Sequence, residues 1–180
     1  YLHNTPHCIA AYLGSILQVK FLHQAMNNFF INEIVAGAME EMIQSLKISW
    51  NISHKHLEYY AQKELKRFRN SLLFDPIARV AREPLRKLEI DGRLIYAAQI
   101  CFSSGVIPKN ILKGIVAALL YHNRSDSDRH LSFLRDAMKP KYFNTYVLGL
   151  RENEPLEILL RNKAEELIEE LQLLLVNNDK

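Results

Sequence analysis

The first turn of the chain carries several residue types that can do chemistry. Residues 3–7, His-Asn-Thr-Pro-His, bring two imidazoles, an amide and a hydroxyl to one short segment. Asn4 and His7 are three residues apart, so both side chains can face one pocket if a helix begins between them. Backbone N–H groups at a helix N-terminus favour an oxygen that becomes negative during a reaction. The same Asn-Thr-Pro segment is also a good helix start with no catalytic role, and that simpler interpretation stays open.

A second group of candidate residues lies in residues 75–92, where Pro76 and Pro84 break the helical spacing. Irregular backbone that is rich in hydrogen-bond donors often carries binding sites. Arginine presents a fork of donors that can hold a phosphate through two hydrogen bonds, so cations converging on one wall would favour a sugar phosphate. The alternative is that the arginines, at i, i+3 and i+7, only solvate a helix face. The four candidate cations are Arg79, Arg82, Arg86 and Lys87.

The remaining histidines and cysteines do not predict a metal site. His54 and His56 are two residues apart and would diverge on a helix. His122 and His130 have no acidic or thiol companion at ligand spacing. The two cysteines lack C-x-x-C spacing, which argues against both structural zinc and a disulfide scaffold. We therefore expect no metal cofactor and a reducing, cytoplasmic compartment.

Helices are the elements expected to position these residues. Only six glycines and six prolines interrupt the chain, and the apolar residues between them follow the i, i+3, i+4, i+7 spacing of amphipathic helices. Asn4 or Thr5 is predicted to cap the first helix, with Pro6 at its first position. No alternating pattern predicts a strand, so the fold class is all-α. Further helices are predicted over about 30–47, 53–70, 93–102 and 108–122, at 126 or 127, at 140, and over 155–176.

The composition is that of one globular domain. The chain has 180 residues, of which 48% are hydrophobic and 24% charged, enough to bury a core. No run of apolar residues reaches the length of a membrane span. The middle is basic and the end acidic, which indicates either a polyanion site or two differently decorated surfaces. Because the chain opens on Tyr1 without a signal-peptide pattern, we expect a piece of a longer protein.

Several segments resemble one enzyme family. Residues 4–7 and 10–14, Asn-Thr-Pro-His and Ala-Ala-Tyr-Leu-Gly, look like the start of the C-terminal domain of the polyol-specific long-chain dehydrogenases, the mannitol dehydrogenase family. Residues 37–41, 67–70, 79–88 and 93–95 extend this similarity over most of the first 120 residues. The resemblance implies that residues 1–180 form a multi-helical C-terminal domain similar to the C-terminal fold of 6-phosphogluconate dehydrogenase.

The resemblance also implies roles for individual residues. Asn4 would hydrogen-bond the developing alkoxide, and His7 would orient the substrate hydroxyl or the catalytic lysine. Arg79 and Lys87 match the polyol-contacting Arg and Lys of the family, and two further arginines on the same stretch, Arg82 and Arg86, would add donors for a phosphate.

The catalytic base and the cofactor site of the family are expected outside this chain. The family lysine lies five residues before the Asn of the motif, which is two residues before Tyr1. NAD would bind mainly to an N-terminal dinucleotide-binding domain, and no G-x-G-x-x-G segment occurs in these 180 residues. The chemistry needs no metal, and the fragment alone is expected to be inactive.

The resemblance implies an enzyme that interconverts mannitol 1-phosphate and fructose 6-phosphate by hydride transfer. One alternative is a mannitol or uronate oxidoreductase of the same family, acting for example on fructuronate or tagaturonate. An alternative of another class is a helical interaction module or nucleic-acid-binding module that uses the basic middle of the chain. Against it, Tyr59, Tyr60 and Phe68 follow the predicted core stripe and do not interleave with the cations.

Overall fold

The computed structural model describes residues 1–121, 144–145 and 147–178, with side chains described as far as residue 171. Within these ranges the regular elements are helices, and the only β-type contact is an isolated bridge between Phe21 and Pro76. The all-α prediction is therefore confirmed. The helices are α1 Asn4–Ile16, α2 Leu22–Asn27, α3 Phe29–Trp50, α4 His54–Phe68, a 3₁₀ turn Ser71–Leu73, α5 Ile77–Ala81, α6 Pro84–Leu88, α7 Ile95–Ser103, α8 Lys109–Leu120 and α9 Pro155–Asn178.

The predicted helices at 126 or 127 and at 140 lie outside the described residues. Two further differences concern described elements. The sequence pattern did not predict α2, and α3 extends beyond the predicted 30–47 at both ends. The side chain of Asn28 caps α3 by accepting from the Ile31 N–H at 3.2 Å, and Asn51 ends it in the left-handed conformation. None of the described helices is both long and apolar enough to cross a membrane.

The start of α1 differs from the predicted cap. The helix begins at Asn4, with His3 at the N-cap position in helical conformation and no side-chain capping bond. The Thr5 hydroxyl donates instead to the Arg93 carbonyl at 2.8 Å, which ties the helix start to a segment 88 residues away. The prediction of Asn4 or Thr5 as cap was therefore wrong. The physical reason is that a tertiary contact occupies the Thr5 hydroxyl. Pro6 is the third residue of the helix and not its first as predicted, and it is tolerated there because N–H groups of the first turn have no partner within the helix.

The core is built around α1, which packs against α3, α5 and α8. Its residues 8–13 are fully buried. The approach of α1 to α8 is so close that a Cβ atom placed on Gly114 would lie 2.3 Å from Ile9 Cγ1. On its other side α8 packs against α9, where the Lys113 ammonium pairs with Glu170 at 2.7 Å.

A buried carboxylate on α3 fixes the start of α8. The Glu41 side chain accepts hydrogen bonds from the Asn110 and Ile111 backbone N–H groups at 2.8 and 3.1 Å, and from the Asn110 side chain at 2.8 Å. It therefore takes the place of a local cap, which Pro108 does not provide. Burial raises the pKa of Glu41, although these hydrogen bonds oppose the change.

Residues 75–93 form short pieces, as the broken pattern predicted. The helices α5 and α6 have five residues each, and Glu83 between them adopts a left-handed backbone conformation with φ of 57°. This turn separates the two basic halves of the segment. Arg79 lies on α5, whereas Arg86 and Lys87 lie on α6.

Candidate functional site

A polar cavity of about 330 Å³ lies at the N-terminus of α1, within the range of small-molecule sites. It is lined by the start of α1, by α2, by the end of α4 with the 3₁₀ turn, by α5 with the segment before it, and by the segment before α7. Its polar lining combines imidazoles, amides, one carboxylate and three guanidinium groups. The lining residues used below are His3, Asn4, His7, His23, Arg67, Phe68, Asn70, Asp75, Arg79 and Arg93.

The fold brings Asn4, His7 and Arg79 to this one cavity, and Asp75 joins two of them. The His7 Nε2 atom lies 3.0 Å from Asp75 Oδ2, and the Arg79 Nε–H donates to Asp75 Oδ1 at 3.1 Å. A neutral His7 that donates through Nε2–H to the carboxylate keeps Nδ1 as an acceptor. Asp75 therefore fixes the tautomer of His7 and the position of Arg79.

A second imidazole–carboxylate pair lies beside the first. His3 Nδ1 is 2.5 Å from Glu64 Oε2, and the Glu64 carboxylate is almost fully buried. The His3 and His7 rings have centroids 5.1 Å apart, and both rest against the Phe68 ring at 5.6 and 5.1 Å. The aromatic ring of α4 thus holds both imidazoles at the cavity wall.

Burial of the imidazole favours a neutral His7 at physiological pH. Burial of the imidazole lowers the pKa of His7 to about 4, although the Asp75 carboxylate acts in the opposite direction. A neutral imidazole can accept a hydrogen bond from an alcohol or donate one to it. It does not supply a fixed positive charge to an anionic substrate.

The structure does not bring the other three candidate cations to this cavity. Arg82 is exposed, and the exposed Arg86 donates to the Glu83 carboxylate at 2.7 Å. Lys87 is 3% exposed, and its ammonium donates to the Val80 carbonyl at 2.6 Å and to the Arg82 carbonyl. Burial lowers the pKa of Lys87. The left-handed turn at Glu83 sets α6 apart from Arg79, so the expected single wall of four cations does not form.

Other lining residues had no assigned role in the sequence. Arg67, Asn70 and Arg93 stand in segments that resemble the family, and this was the signal that could have found them. Asp75 and His23 carried no such signal, because only the tertiary structure brings them near α1. The His23 Nδ1 atom is buried and has no hydrogen-bond partner among the described residues.

Neither a cluster of metal-binding side chains nor a dinucleotide-binding segment occurs in the described part of the chain. No group of three or more His, Cys, Asp or Glu residues suited to a metal occurs among the described residues. The described ranges contain no strand, and the sequence has no glycine-rich phosphate-binding motif. The cavity instead offers amide, imidazole and guanidinium groups, which suit a small molecule rich in hydroxyl and anionic oxygens.

Fold and cavity together define an all-helical domain with a polar cavity at the start of its first helix. Comparison with known proteins identifies the family. The model of the mannitol dehydrogenase C-terminal domain matches residues 1–175, so this chain belongs to that family and provides its C-terminal domain.

Similar proteins include three bacterial enzymes named mannitol-1-phosphate 5-dehydrogenase. The enzyme of Thermoanaerobacter pseudethanolicus is 40% identical over 126 residues, which are 70% of this chain and 32% of the relative. The enzyme of Clostridium acetobutylicum is 32% identical over 170 residues, 93% of this chain and 44% of the relative. The enzyme of Buchnera aphidicola is 40% identical over 124 residues, which are 68% of this chain and 32% of the relative. The chain thus spans less than half the length of these relatives.

Proposed function

We propose that this chain is the substrate domain of an NAD-dependent polyol dehydrogenase that interconverts mannitol 1-phosphate and fructose 6-phosphate in the cytoplasm. The observation that carries this proposal is the cavity in which Asn4, His7 and Arg79 meet. The names of the relatives support the substrate, because their shared activity requires a site for a phosphorylated polyol. In the full-length protein an N-terminal domain would hold NAD, which accepts the hydride from the alcohol carbon.

Asn4 and His7 would act on the reacting oxygen. The Asn4 amide stands at the first position of α1, where backbone dipoles favour negative charge. Its NH₂ group would stabilise the oxygen as it loses its proton. The neutral His7, held by Asp75, would orient the hydroxyl that reacts. The general base would be a lysine two residues before Tyr1, and Arg79 would hold a further polyol hydroxyl.

Lys87 has a different place from the one the resemblance implied. Its ammonium joins the carbonyls of Val80 and Arg82 at the end of α5. We therefore assign Lys87 to the support of the segment that carries Arg79. Arg82 and Arg86 remain on the surface, outside the cavity.

The variant Asn4→Ala in a full-length protein carrying this domain tests the proposal. Loss of one donor to a developing oxyanion is expected to lower kcat by roughly 10²–10³-fold, with a much smaller change in KM. Asn27→Ala, an exposed amide at the end of α2, is the matched control and should leave both constants unchanged. An Asn4→Ala enzyme with normal kcat would remove Asn4 from the chemistry.

The rival activities make distinct predictions. A mannitol or uronate oxidoreductase of the same family would turn over the neutral polyol or the uronate faster than the phosphate ester. Of the three rings that the sequence pattern placed in the core, only Phe68 is buried, whereas Tyr59 and Tyr60 are 64% and 42% exposed, so that part of the argument against nucleic-acid binding was wrong. A nucleic-acid-binding module is still not favoured, because three of the arginines line a cavity. Initial rates with the phosphate ester, the neutral polyol and the uronate, measured side by side, distinguish these enzyme activities.

A further inference from the structure

The charge balance of the cavity indicates where an anionic group would bind. Three arginines and one aspartate line it, so these four side chains give the cavity a net positive charge. The aspartate is already engaged, since both the Arg79 guanidinium and the His7 ring contact Asp75. Arg79 is therefore largely neutralised by its neighbour. The excess positive charge belongs to Arg67 and Arg93.

Arg93 is held in place without a strong partner for its charge. Its backbone carbonyl accepts from the Thr5 hydroxyl at 2.8 Å, and the following Leu94 N–H donates to the Lys87 carbonyl at 3.1 Å. In the part of the chain that the structure describes, no carboxylate lies within ion-pair distance of its guanidinium. The side chain instead lies close to the thiol of Cys8, a weak hydrogen-bond partner.

Arg67 approaches the cavity from the last turn of α4. Its nearest carboxylate oxygen, on Glu64, is 3.9 Å away and is bound more closely by His3 at 2.5 Å. Asn70 lies one turn further and also lines the cavity. Its side-chain oxygen accepts from the Leu72 N–H at 3.0 Å, which leaves the NH₂ group as a donor.

We propose that Arg67 and Arg93, assisted by Asn70, form the subsite that holds the phosphate group of the substrate. The proposal rests on the proposed function for the identity of the ligand, and it moves phosphate recognition from residues 82–87 to the cavity. A phosphate monoester carries about two negative charges at neutral pH, which matches two guanidinium groups. Each guanidinium can bind two phosphate oxygens in its fork geometry.

Substrate kinetics of the full-length dehydrogenase test this subsite. Arg93→Gln and Arg67→Gln should each raise KM for mannitol 1-phosphate by roughly 10- to 100-fold, the effect of one lost charge-assisted hydrogen-bond pair. Turnover of unphosphorylated mannitol, measured at saturating concentration, should change less than about twofold. Arg93→Lys keeps the charge without the fork and should fall between the wild type and Arg93→Gln.

Arg69→Gln is the matched control for Arg67→Gln. Arg69 lies two residues further along the same helix end, is exposed, and donates to the Asn32 side chain at 2.7 Å outside the cavity. It should leave both substrates unaffected. Equal losses on both substrates in the Arg67 and Arg93 variants would overturn the proposal, as would a phosphate-selective loss in Arg86→Gln instead.

Direct binding separates this subsite from the dehydrogenase activity. Inorganic phosphate, titrated into the wild-type protein and followed by amide chemical shifts, should perturb residues around Arg67 and Arg93. The perturbations should disappear in the double variant Arg67→Gln/Arg93→Gln. If phosphate binds in this way while no polyol is oxidised, the result supports the anion site and contradicts the proposed activity. If mannitol 1-phosphate is turned over while phosphate perturbs neither arginine, the subsite falls.

Discussion

At the scale of single residues, the pairing of His7 with Asp75 combines a neutral imidazole with a fixed tautomer. Burial lowers the pKa of His7 to about 4 in the folded protein, against an ordinary value near 6.5 in the unfolded chain. Between these values the unfolded state binds the proton and the folded state does not. The contribution of His7 to the free energy of unfolding is therefore fully present above about pH 6.5 and is lost as the pH falls towards 4.

This linkage predicts a measurable difference between the wild type and His7→Gln. The contribution of His7 to the free energy of unfolding should fall by about 2 kcal/mol between about pH 7 and about pH 5. Glutamine does not titrate, so the variant should lack this part of the pH dependence. Urea unfolding at several pH values measures it, and His56→Gln is the control because His56 is exposed. Parallel pH profiles for wild type and His7→Gln would contradict the assignment.

The Asp75 carboxylate gives a second prediction at this scale. Asp75→Asn keeps the size of the side chain but replaces one carboxylate oxygen with an NH₂ group, so His7 and Arg79 lose their shared anion. We expect kcat/KM of the full-length enzyme for the polyol phosphate to fall roughly tenfold or more, because both groups lose their fixed positions. Asp91→Asn, on the exposed loop before α7, should have no effect. An active Asp75→Asn enzyme would show that the cavity does not need this bridge.

At the scale of elements, the packing of α1 on α8 depends on a missing side chain. The Cβ atom of an alanine at position 114 would lie 2.3 Å from Ile9 Cγ1, so one helix must move. We expect Gly114→Ala to destabilise the protein by about 1–3 kcal/mol, despite the better helix propensity of alanine. Lys109→Ala, at an exposed position on the same helix, should change stability by less than about 0.5 kcal/mol.

A double-mutant cycle distinguishes a steric clash from a general loss of packing. Ile9→Ala removes the atoms that would clash, and it also costs stability through the cavity that it leaves. If the two side chains compete for one space, the loss in Gly114→Ala/Ile9→Ala should be at least about 1 kcal/mol smaller than the sum of the single losses. Additive losses would mean that the alanine at position 114 destabilises the protein without a direct clash with Ile9.

The elements that could be predicted from sequence are those whose apolar spacing is sustained over several turns. The long helices α4, α8 and α9 belong to this class, because a stripe of buried residues specifies both their existence and their inner face. The six-residue α2 could not be predicted in this way. Its start is fixed by the Leu22 N–H, which donates to the Asp75 carbonyl at 2.9 Å, and by the bridge between Phe21 and Pro76.

In the candidate site, too, local features could be predicted from the sequence, whereas long-range contacts could not. Asn4 and His7 share one helix turn, so their common pocket followed from spacing. The carboxylate partners of the two histidines could not be predicted from spacing, since Glu64 is 61 residues from His3 and Asp75 is 68 residues from His7. The burial of Lys87 was equally hidden. The sequence places Lys87 in a basic stretch, which is typical of the surface. Only the structure shows that backbone carbonyls accept hydrogen bonds from its buried ammonium.

At the scale of the whole molecule, an apolar patch beside the cavity has no cover within the described chain. Leu72 and Phe74 are 80% and 66% exposed, and the neighbouring Leu73 lines the cavity. The Phe74 ring contacts Phe21 edge to face at 6.1 Å, so the patch is held in a defined position. Large exposed apolar side chains that are contiguous favour association.

We therefore predict that the 180-residue chain self-associates through this patch as its concentration rises. Leu72→Ser/Phe74→Ser should shift the sedimentation profile towards the monomer, whereas Ile48→Ser, which removes an exposed apolar residue on α3, should not. If an N-terminal domain covers the patch in the full-length protein, the same double substitution there should leave the association state unchanged and weaken the contact between domains. Limited proteolysis would then release this domain faster from the variant than from the wild type. A chain that stays monomeric at high concentration would show that the patch alone does not drive association.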